Sequence, residues 1–155
     1  MMLDDDGDPS PAEALRELLE ALAEAFAVDG KVVVEETGET LRGAIDGEHA
    51  ERLVGERGSV VDAIQHLARR IVLRGGEGPR VVVDADGYRA RREAELRSEA
   101  ERAADTAVAE GRPVALSAMP AAERRFVHEH LRERGGVATH SEGDEPRRRL
   151  IVTPL

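Results

Sequence analysis

The chain has 155 residues, enough for one medium domain or two small ones, and 41% of them are hydrophobic. It has no cysteine, which excludes disulfides and thiolate metal sites and is typical of a reducing cytoplasm. No apolar run approaches the roughly 18 residues of a membrane span. The acidic start also lacks the basic and apolar regions of a signal peptide. We therefore expect a cytoplasmic protein without membrane insertion.

The net charge of −10 argues at first against a nucleic-acid partner. Much of this acidity lies at the N-terminus, where residues 1–27 carry eight acidic residues and one basic residue. Residues 87–155 carry twelve acidic and thirteen basic residues, so the last part of the chain is locally rich in arginine. No part has the strongly basic balance of a general nucleic-acid binder. We expect weak or selective binding.

The N-terminal half predicts a helix followed by two strands. Residues 1–9 contain four Asp and no apolar periodicity, which predicts a disordered acidic tail. Ser10-Pro11 has the residues of a helix start, with Ser as the N-cap and Pro in the first helical position. The runs Lys31–Glu36 and Thr40–Asp46 are strand-like, and Glu48–Leu53 is predicted to form a short helix.

A tight turn, Gly55-Glu56-Arg57-Gly58, separates this short helix from a longer one that ends near Arg74; we call the turn the GERG loop. Glycines allow positive φ angles and a close approach to another backbone. The following helix directs its N–H groups and positive dipole end at the loop, which indicates a phosphate site. The alternative is a helix corner that needs glycine for geometry alone. Apolar residues recur along the helix at helical spacing: Val60, Ile64, Leu67 and Ile71, and with them Val61, Ala68 and Val72.

A glycine-rich loop over residues 75–79 precedes a third strand, Arg80–Ala85, which completes an α-β-β-α-α-β order. Residues Gly87–Glu110 then read as one long helix with an alanine-lined side that includes Val108. Apolar residues of the preceding helix and of the second strand are predicted to form a groove for unstacked bases. Three arginines near the start of the long helix belong to a solvated face or, alternatively, to a basic rim near that groove: Arg89, Arg91 and Arg92.

The last part predicts a short strand, a helix and two strands: Val114–Leu116, Pro120–Arg134, Val137–Ser141 and Arg147–Thr153. Arg124 and His128 are four residues apart, so they lie on one helix face, and Arg132 continues the row. A charged Arg and a nearby His can donate hydrogen bonds to neighbouring phosphates without reading bases. The alternative is that Arg124 pairs with a carboxylate and His128 lies at the edge of a core.

Two segments resemble a known family. The GERG loop followed by Asp62-Ala63-Ile64-Gln65 resembles the KH segment of the Jag family, the bacterial SpoIIIJ-associated RNA-binding proteins. The segment Leu116–Pro120, with Glu123-Arg124-Arg125 and His128, resembles the R-three-H (Arg-x-x-x-His) single-strand-binding domain that follows in that family. The resemblance implies an α+β fold, in which a type II-like KH domain over residues 10–86 is joined by a long helix to a small α/β R-three-H domain. This second domain covers residues 87–155, includes the long helix and has a short mixed or antiparallel sheet.

The resemblance also implies the function. It predicts a post-transcriptional regulator or RNA chaperone that binds single-stranded RNA, with single-stranded DNA as the alternative ligand. A KH-mediated dimer or a small KH-protein partner is a further expectation. Many family members have a basic residue where Glu56 stands, which disfavours phosphate at that position. The predicted nucleic-acid-binding residues are Gly55, Glu56, Arg57, Gly58, Arg124, Arg125, His128, Arg132, Arg147, Arg148 and Arg149.

The competing hypothesis is a protein–protein interaction module of the membrane-insertion or cell-envelope and division machinery, with weak or lost RNA binding. We expect no enzymatic activity, cofactor or metal. The sequence has no context for a catalytic triad, and His128 and His130 point about 200° apart around a helix. With one Tyr and two Phe, the chain offers little stacking surface, so we expect modest sequence discrimination.

Overall fold

The computed structural model describes residues 7–155, which divide between two compact units, Met1–Arg89 and Ala90–Leu155. Helices and small sheets are mixed in the chain, so the predicted α+β class is confirmed. The predicted disordered tail falls largely on residues 1–6, which lie outside the described part. Within the described part, the Asp8 carboxylate lies 2.5 Å from the Arg74 guanidinium. None of the helices in residues 7–155 is both long and apolar enough to cross a membrane.

The first unit begins with helix α1, Pro11–Ala25. Its start is the predicted one: the Ser10 side chain accepts a hydrogen bond from the Glu13 amide, and Pro11 occupies the first turn. One side of α1 buries Leu15 and Leu19 completely. This side packs on the sheet at Gly43, where an added Cβ would lie only 2.5 Å from the Leu19 Cδ1 atom.

The sheet of the first unit has the strand order β1-β2-β3, with β1 Asp29–Thr37, β2 Thr40–Glu48 and β3 Arg80–Ala85. Strands β1 and β2 form an antiparallel hairpin, whereas β3 runs parallel to β2. A parallel neighbour requires a crossover connection, and helix α2, Ser59–Leu73, supplies it. Strand β3 therefore lies at an edge of the sheet, beside α2.

Helix α2 has the predicted extent but a different buried side. Val61, Ile64, Ala68 and Val72 are buried in the core of the first unit. The predicted apolar row also included Leu67 and Ile71, which remain 44% and 41% exposed. Both sets of residues have helical spacing, so only packing against the sheet decides which set is covered.

The second unit contains most of α3, Tyr88–Glu110, followed by β4 Val114–Ala115, α4 Ala121–Arg134, β5 Val137–Glu142 and β6 Arg149–Pro154. Its sheet has the order β4-β6-β5 and is antiparallel throughout. Small alanines on α3 pack close to α4 and the sheet, and the core is completed by side chains such as Val127, Leu131 and Val152.

Several predicted details are wrong. The segment Glu48–Leu53 is not a helix throughout, because β2 continues to Glu48 and only Ala50–Leu53 forms a short 3-10 turn. Strand β6 begins at Arg149, which leaves Arg147 and Arg148 in the preceding loop. Val108 is 52% exposed rather than packed, because α3 buries only its alanines and Leu96 along that stretch.

Candidate nucleic-acid interface

The GERG loop has a backbone that explains both of its glycines. Gly55 and Gly58 have φ angles of 72° and 76°, and Arg57 between them also lies in the left-handed region with φ 52° and ψ 33°. Such a conformation is uncommon for a residue with a Cβ. A Cβ on Gly58 would lie 2.5 Å from the Tyr88 ring, so the loop rests directly on this side chain. Gly58 is therefore required by geometry.

The amides at the start of α2 are not free, contrary to the prediction of open N–H groups for a phosphate. The Ser59 amide donates to the Glu56 carbonyl, and the Val60 and Val61 amides both donate to the Val54 carbonyl. The short 3-10 turn over Glu56–Gly58 brings these carbonyls into reach. These three amides are therefore engaged within the fold and are not available to an anion at this loop.

Two side chains of the loop are exposed, and they carry opposite charges: Glu56 and Arg57. Within residues 7–155, the Arg57 guanidinium has no hydrogen bond or ion pair, and the residue is exposed. Arg57 is thus the cation that the loop offers to a ligand. The neighbouring carboxylate of Glu56 lowers the positive potential at that point.

A groove runs along one side of α2, between this helix and the loops at the start of β2 and β3. Asp62, His66 and Arg69 of α2 line it, and Glu39, Glu77 and Arg80 lie among the loop and strand residues. We predicted apolar walls for unstacked bases. The lining is instead mainly polar and charged, with Leu73 and Val81 as its large aliphatic residues.

The edge of β3 is closed by the side chains of Gln65 and Arg89, a role that the sequence did not reveal. The Val83 amide donates to the Gln65 side-chain oxygen at 3.0 Å, and Arg89 Nε donates to the Val83 carbonyl at 2.7 Å. Arg89 also donates to Gln65 and Asp62. Arg89 is therefore committed to the sheet edge and does not belong to a solvated face. Arg92 is likewise paired, through two 2.9 Å hydrogen bonds to Glu123.

Arg124 of the Arg-x-x-x-His motif is buried, with 8% of its surface exposed. Its Nη1 donates to the Met119 carbonyl at 2.7 Å, and its Nη2 donates to Glu145 Oε1 at 2.6 Å. The carboxylate partner that we kept as an alternative is thus present in the structure. His128, one turn later, is exposed, so the two motif residues do not share a solvent-facing surface.

The exposed candidate residues of α4 lie around Glu129. Arg125 Nε donates to the Glu129 carboxylate at 2.9 Å. This hydrogen bond, together with the positive charges of Arg125 and Arg132, lowers the pKa of Glu129. His128 Nδ1 lies 2.5 Å from the Thr139 hydroxyl of β5, which fixes the imidazole ring. The structure thus brings three of the predicted residues together: Arg125, His128 and Arg132.

The three consecutive arginines before and at the start of β6 have different surroundings. Arg148 donates to the Gly143 carbonyl at 2.9 Å, and Arg149 lies 3.9 Å from the Glu142 carboxylate. In the described part of the chain, the side chain of Arg147 has no hydrogen bond or ion pair and is exposed. Of the three, Arg147 is therefore the most available to a ligand.

The sequence did not predict the contacts that four residues make at these surfaces: Gln65, Tyr88, Thr139 and Glu145. Tyr88 is the single tyrosine of the chain, yet nothing in the sequence places it beneath a loop thirty residues earlier. Thr139 and Glu145 are ordinary residues in a strand and a loop. Their roles come from tertiary contacts, which spacing along the chain does not encode.

Comparison with known proteins gives two findings. The family model for the R-three-H domain matches residues 94–154. The protein of Bacillus subtilis named RNA-binding protein KhpB is 32% identical over 146 residues, which cover 92% of this chain and 70% of that protein.

Two further relatives carry the same name. The protein of Clostridium symbiosum is 33% identical, and the match covers 88% of this chain and 63% of the relative. The protein of Lactiplantibacillus plantarum is 39% identical over 101 residues, which are 64% of this chain and 31% of the relative. The chain therefore spans from about a third to about two thirds of these three relatives.

Proposed function

Because the chain belongs to the KhpB family, which is the Jag family, we propose that it binds single-stranded RNA through one phosphate-contacting surface in each of its two units. The first surface is the GERG loop with the groove beside α2. The second is formed by Arg125, His128 and Arg132 of α4, with Arg147 in the loop before β6. The name of the relatives, RNA-binding protein, supports the ligand, and the local geometry supports the two surfaces.

The observation that carries the proposal is the conformation of Arg57. A left-handed backbone at a non-glycine residue costs roughly 1 kcal/mol or more, so it persists only where the surroundings impose it. Here two positive-φ glycines and the Tyr88 ring hold the loop, and the Arg57 guanidinium projects from it unpaired within residues 7–155. A rigid loop that exposes a single cation is suited to hold one phosphate of a passing strand.

The architecture of the first unit supports a type II KH domain. Its order is helix, two strands, short 3-10 turns, helix and strand, and the last strand is parallel to the middle one. In this proposal the strand passes over the GERG loop and places unstacked bases in the groove along α2. Because this groove has charged walls and the chain has few aromatics, we expect hydrogen bonding rather than stacking to dominate there.

A second candidate function is a protein-docking role for the first unit, and the exposed side of α2 favours it. Leu67 and Ile71 are one turn apart and more than 40% exposed, and Phe26 at the end of α1 is 40% exposed. Such side chains on a helix surface suit a second copy of the chain or a small KH protein. In this candidate, Glu56 reflects a loop that no longer holds phosphate.

Binding of a labelled, mixed-sequence single-stranded RNA across a salt series tests the proposal. We expect binding at low salt that weakens with a log–log slope of about −2 to −4, as contact with roughly three to five phosphates predicts for a single strand. Double-stranded RNA of the same length is the control and should bind more weakly. Absence of binding even at the lowest salt would contradict the proposal and favour the docking candidate.

A further inference from the structure

We propose that the loop between β5 and β6 is a built-in competitor for RNA, in which the Glu145 carboxylate occupies the place at Arg124 that an RNA phosphate takes in the complex. This inference rests on the proposed function. It assigns to Glu145 the role of an autoinhibitory contact. It also explains why the Arg of the Arg-x-x-x-His motif is withdrawn from solvent in the free protein.

Arg124 donates two hydrogen bonds, and their acceptors differ in kind. Nη1 is bonded to the main-chain carbonyl of Met119, which itself is 3% exposed, so this half of the guanidinium is fixed inside the fold. Nη2 is bonded to Glu145, whose side chain is 57% exposed. The fixed half orients the guanidinium, and the other half holds an anion at the surface.

The Glu145 carboxylate that Nη2 holds can be exchanged for a phosphate. Carboxylate and phosphate oxygens both accept charge-assisted hydrogen bonds from guanidinium, with similar geometry. A phosphate that replaces Glu145 leaves Arg124 paired, so the exchange avoids a buried, unpaired charge. Residues 142–147 are all exposed, and the displaced carboxylate can therefore return to water.

Two other arginines that are predicted to bind RNA also pair with a carboxylate. Glu142, at the end of β5, lies 3.9 Å from Arg149, and Glu129 holds Arg125 on α4. Three of the predicted RNA-binding arginines therefore have a carboxylate partner in the free protein. Glu145 differs from the other two carboxylates because its arginine is buried. Of these three ion pairs, only this one involves a guanidinium that solvent barely reaches.

The test compares RNA affinity of the full chain with that of Glu145→Gln, which keeps the size of the side chain and removes its charge. The matched control is Glu133→Gln, which changes the net charge equally at an exposed position of α4 without a partner in residues 7–155. We expect Glu145→Gln to bind mixed-sequence single-stranded RNA about two- to tenfold more tightly than the wild type, because an internal ion pair no longer competes. The control should change affinity by less than about twofold.

A double-mutant cycle with Arg124→Gln separates release of Arg124 from a general charge effect. The glutamine amide keeps a polar group without the charge, and a thermal melt checks that the variant is folded. In this background Glu145→Gln should bind no more tightly than Glu133→Gln. Equal affinities of Glu145→Gln and Glu133→Gln in the otherwise wild-type chain would overturn the inference, even if Arg124→Gln does not fold.

The remaining outcomes separate this inference from the proposed function. If the wild type binds RNA and Glu145→Gln binds no better than the control, the function stands and the inference fails. If both proteins bind RNA and Glu145→Gln binds more tightly than the control, both are supported. If neither protein binds at low salt, both are overturned.

Discussion

At the scale of single residues, the charged side chains of the two motifs have different surroundings. Arg57 and Arg147 are exposed without a partner in the described chain, whereas Arg124 is buried between a carbonyl and a carboxylate. Glu56 stands beside Arg57 on the exposed side of the GERG loop. Local potential at a phosphate site depends on such neighbours more than on net charge, because solvent screens distant charges.

Replacing Glu56 with Lys should therefore strengthen RNA binding. The change converts a repelling carboxylate beside the phosphate position into a second cation, and we expect about a three- to tenfold gain in affinity at low salt. Fluorescence anisotropy with single-stranded RNA measures it. Glu20→Lys, at an exposed position of α1, makes the same change in net charge. Equal effects of the two variants would contradict the assigned role of the GERG loop.

At the scale of elements, α3 and α4 are joined by a network of charged side chains. Glu101 of α3 accepts hydrogen bonds from His130 and Arg134 of α4, both at 2.7 Å, and Arg134 also pairs with Asp105. Partial desolvation raises the pKa of Glu101, but the hydrogen bonds from His130 and Arg134 outweigh it, so the net pKa is lowered. This network positions α4, which carries Arg125, His128 and Arg132 of the second proposed surface.

Glu101→Gln should lower the melting temperature at pH 7 by about 1–4 °C, since a partly exposed network contributes modestly. Because the folded-state pKa of Glu101 is lowered, its contribution is complete above the unfolded pKa and is lost as the pH falls through the folded value. The difference from wild type should therefore shrink below roughly pH 4. Thermal melts at pH 7 and pH 3 measure it.

Glu93→Gln is the control for this prediction, because Glu93 forms an exposed pair with Arg97 on the same helix. It should lower the melting temperature by less than Glu101→Gln does. A difference between wild type and Glu101→Gln that grows in acid would contradict the role given to the network.

The elements themselves were largely predictable, because local signals determine them. Ser10-Pro11 marked the start of α1, Gly135 the end of α4, and the β-branched run at Lys31 a strand. The buried side of α2 was not predictable, since two apolar rows share its helical period and the sheet covers only one. The partners of Arg124 and the closing of β3 by Gln65 join residues far apart in sequence, and periodicity carries no information about them.

At the scale of the whole molecule, the proposed function requires that a chain with a net charge of −10 binds a polyanion. Long-range attraction is weak for such a chain, so binding depends on a few contacts at short range. Much of the acidity lies in residues 1–27, apart from the proposed surfaces in sequence, and each unit presents at least one exposed cation without a partner in residues 7–155.

The most direct measurement of the two-surface account is the salt dependence of single-stranded RNA binding by Arg57→Glu and by Arg132→Glu. The controls are Lys31→Glu on β1 and Arg102→Glu on α3, which reverse exposed charges outside the two surfaces. Each test variant should weaken binding at low salt and reduce the magnitude of the salt slope by about 0.7, the value for one lost phosphate contact, and the controls should keep the wild-type slope. A wild-type slope in both test variants would contradict the claim that these two surfaces hold the RNA backbone.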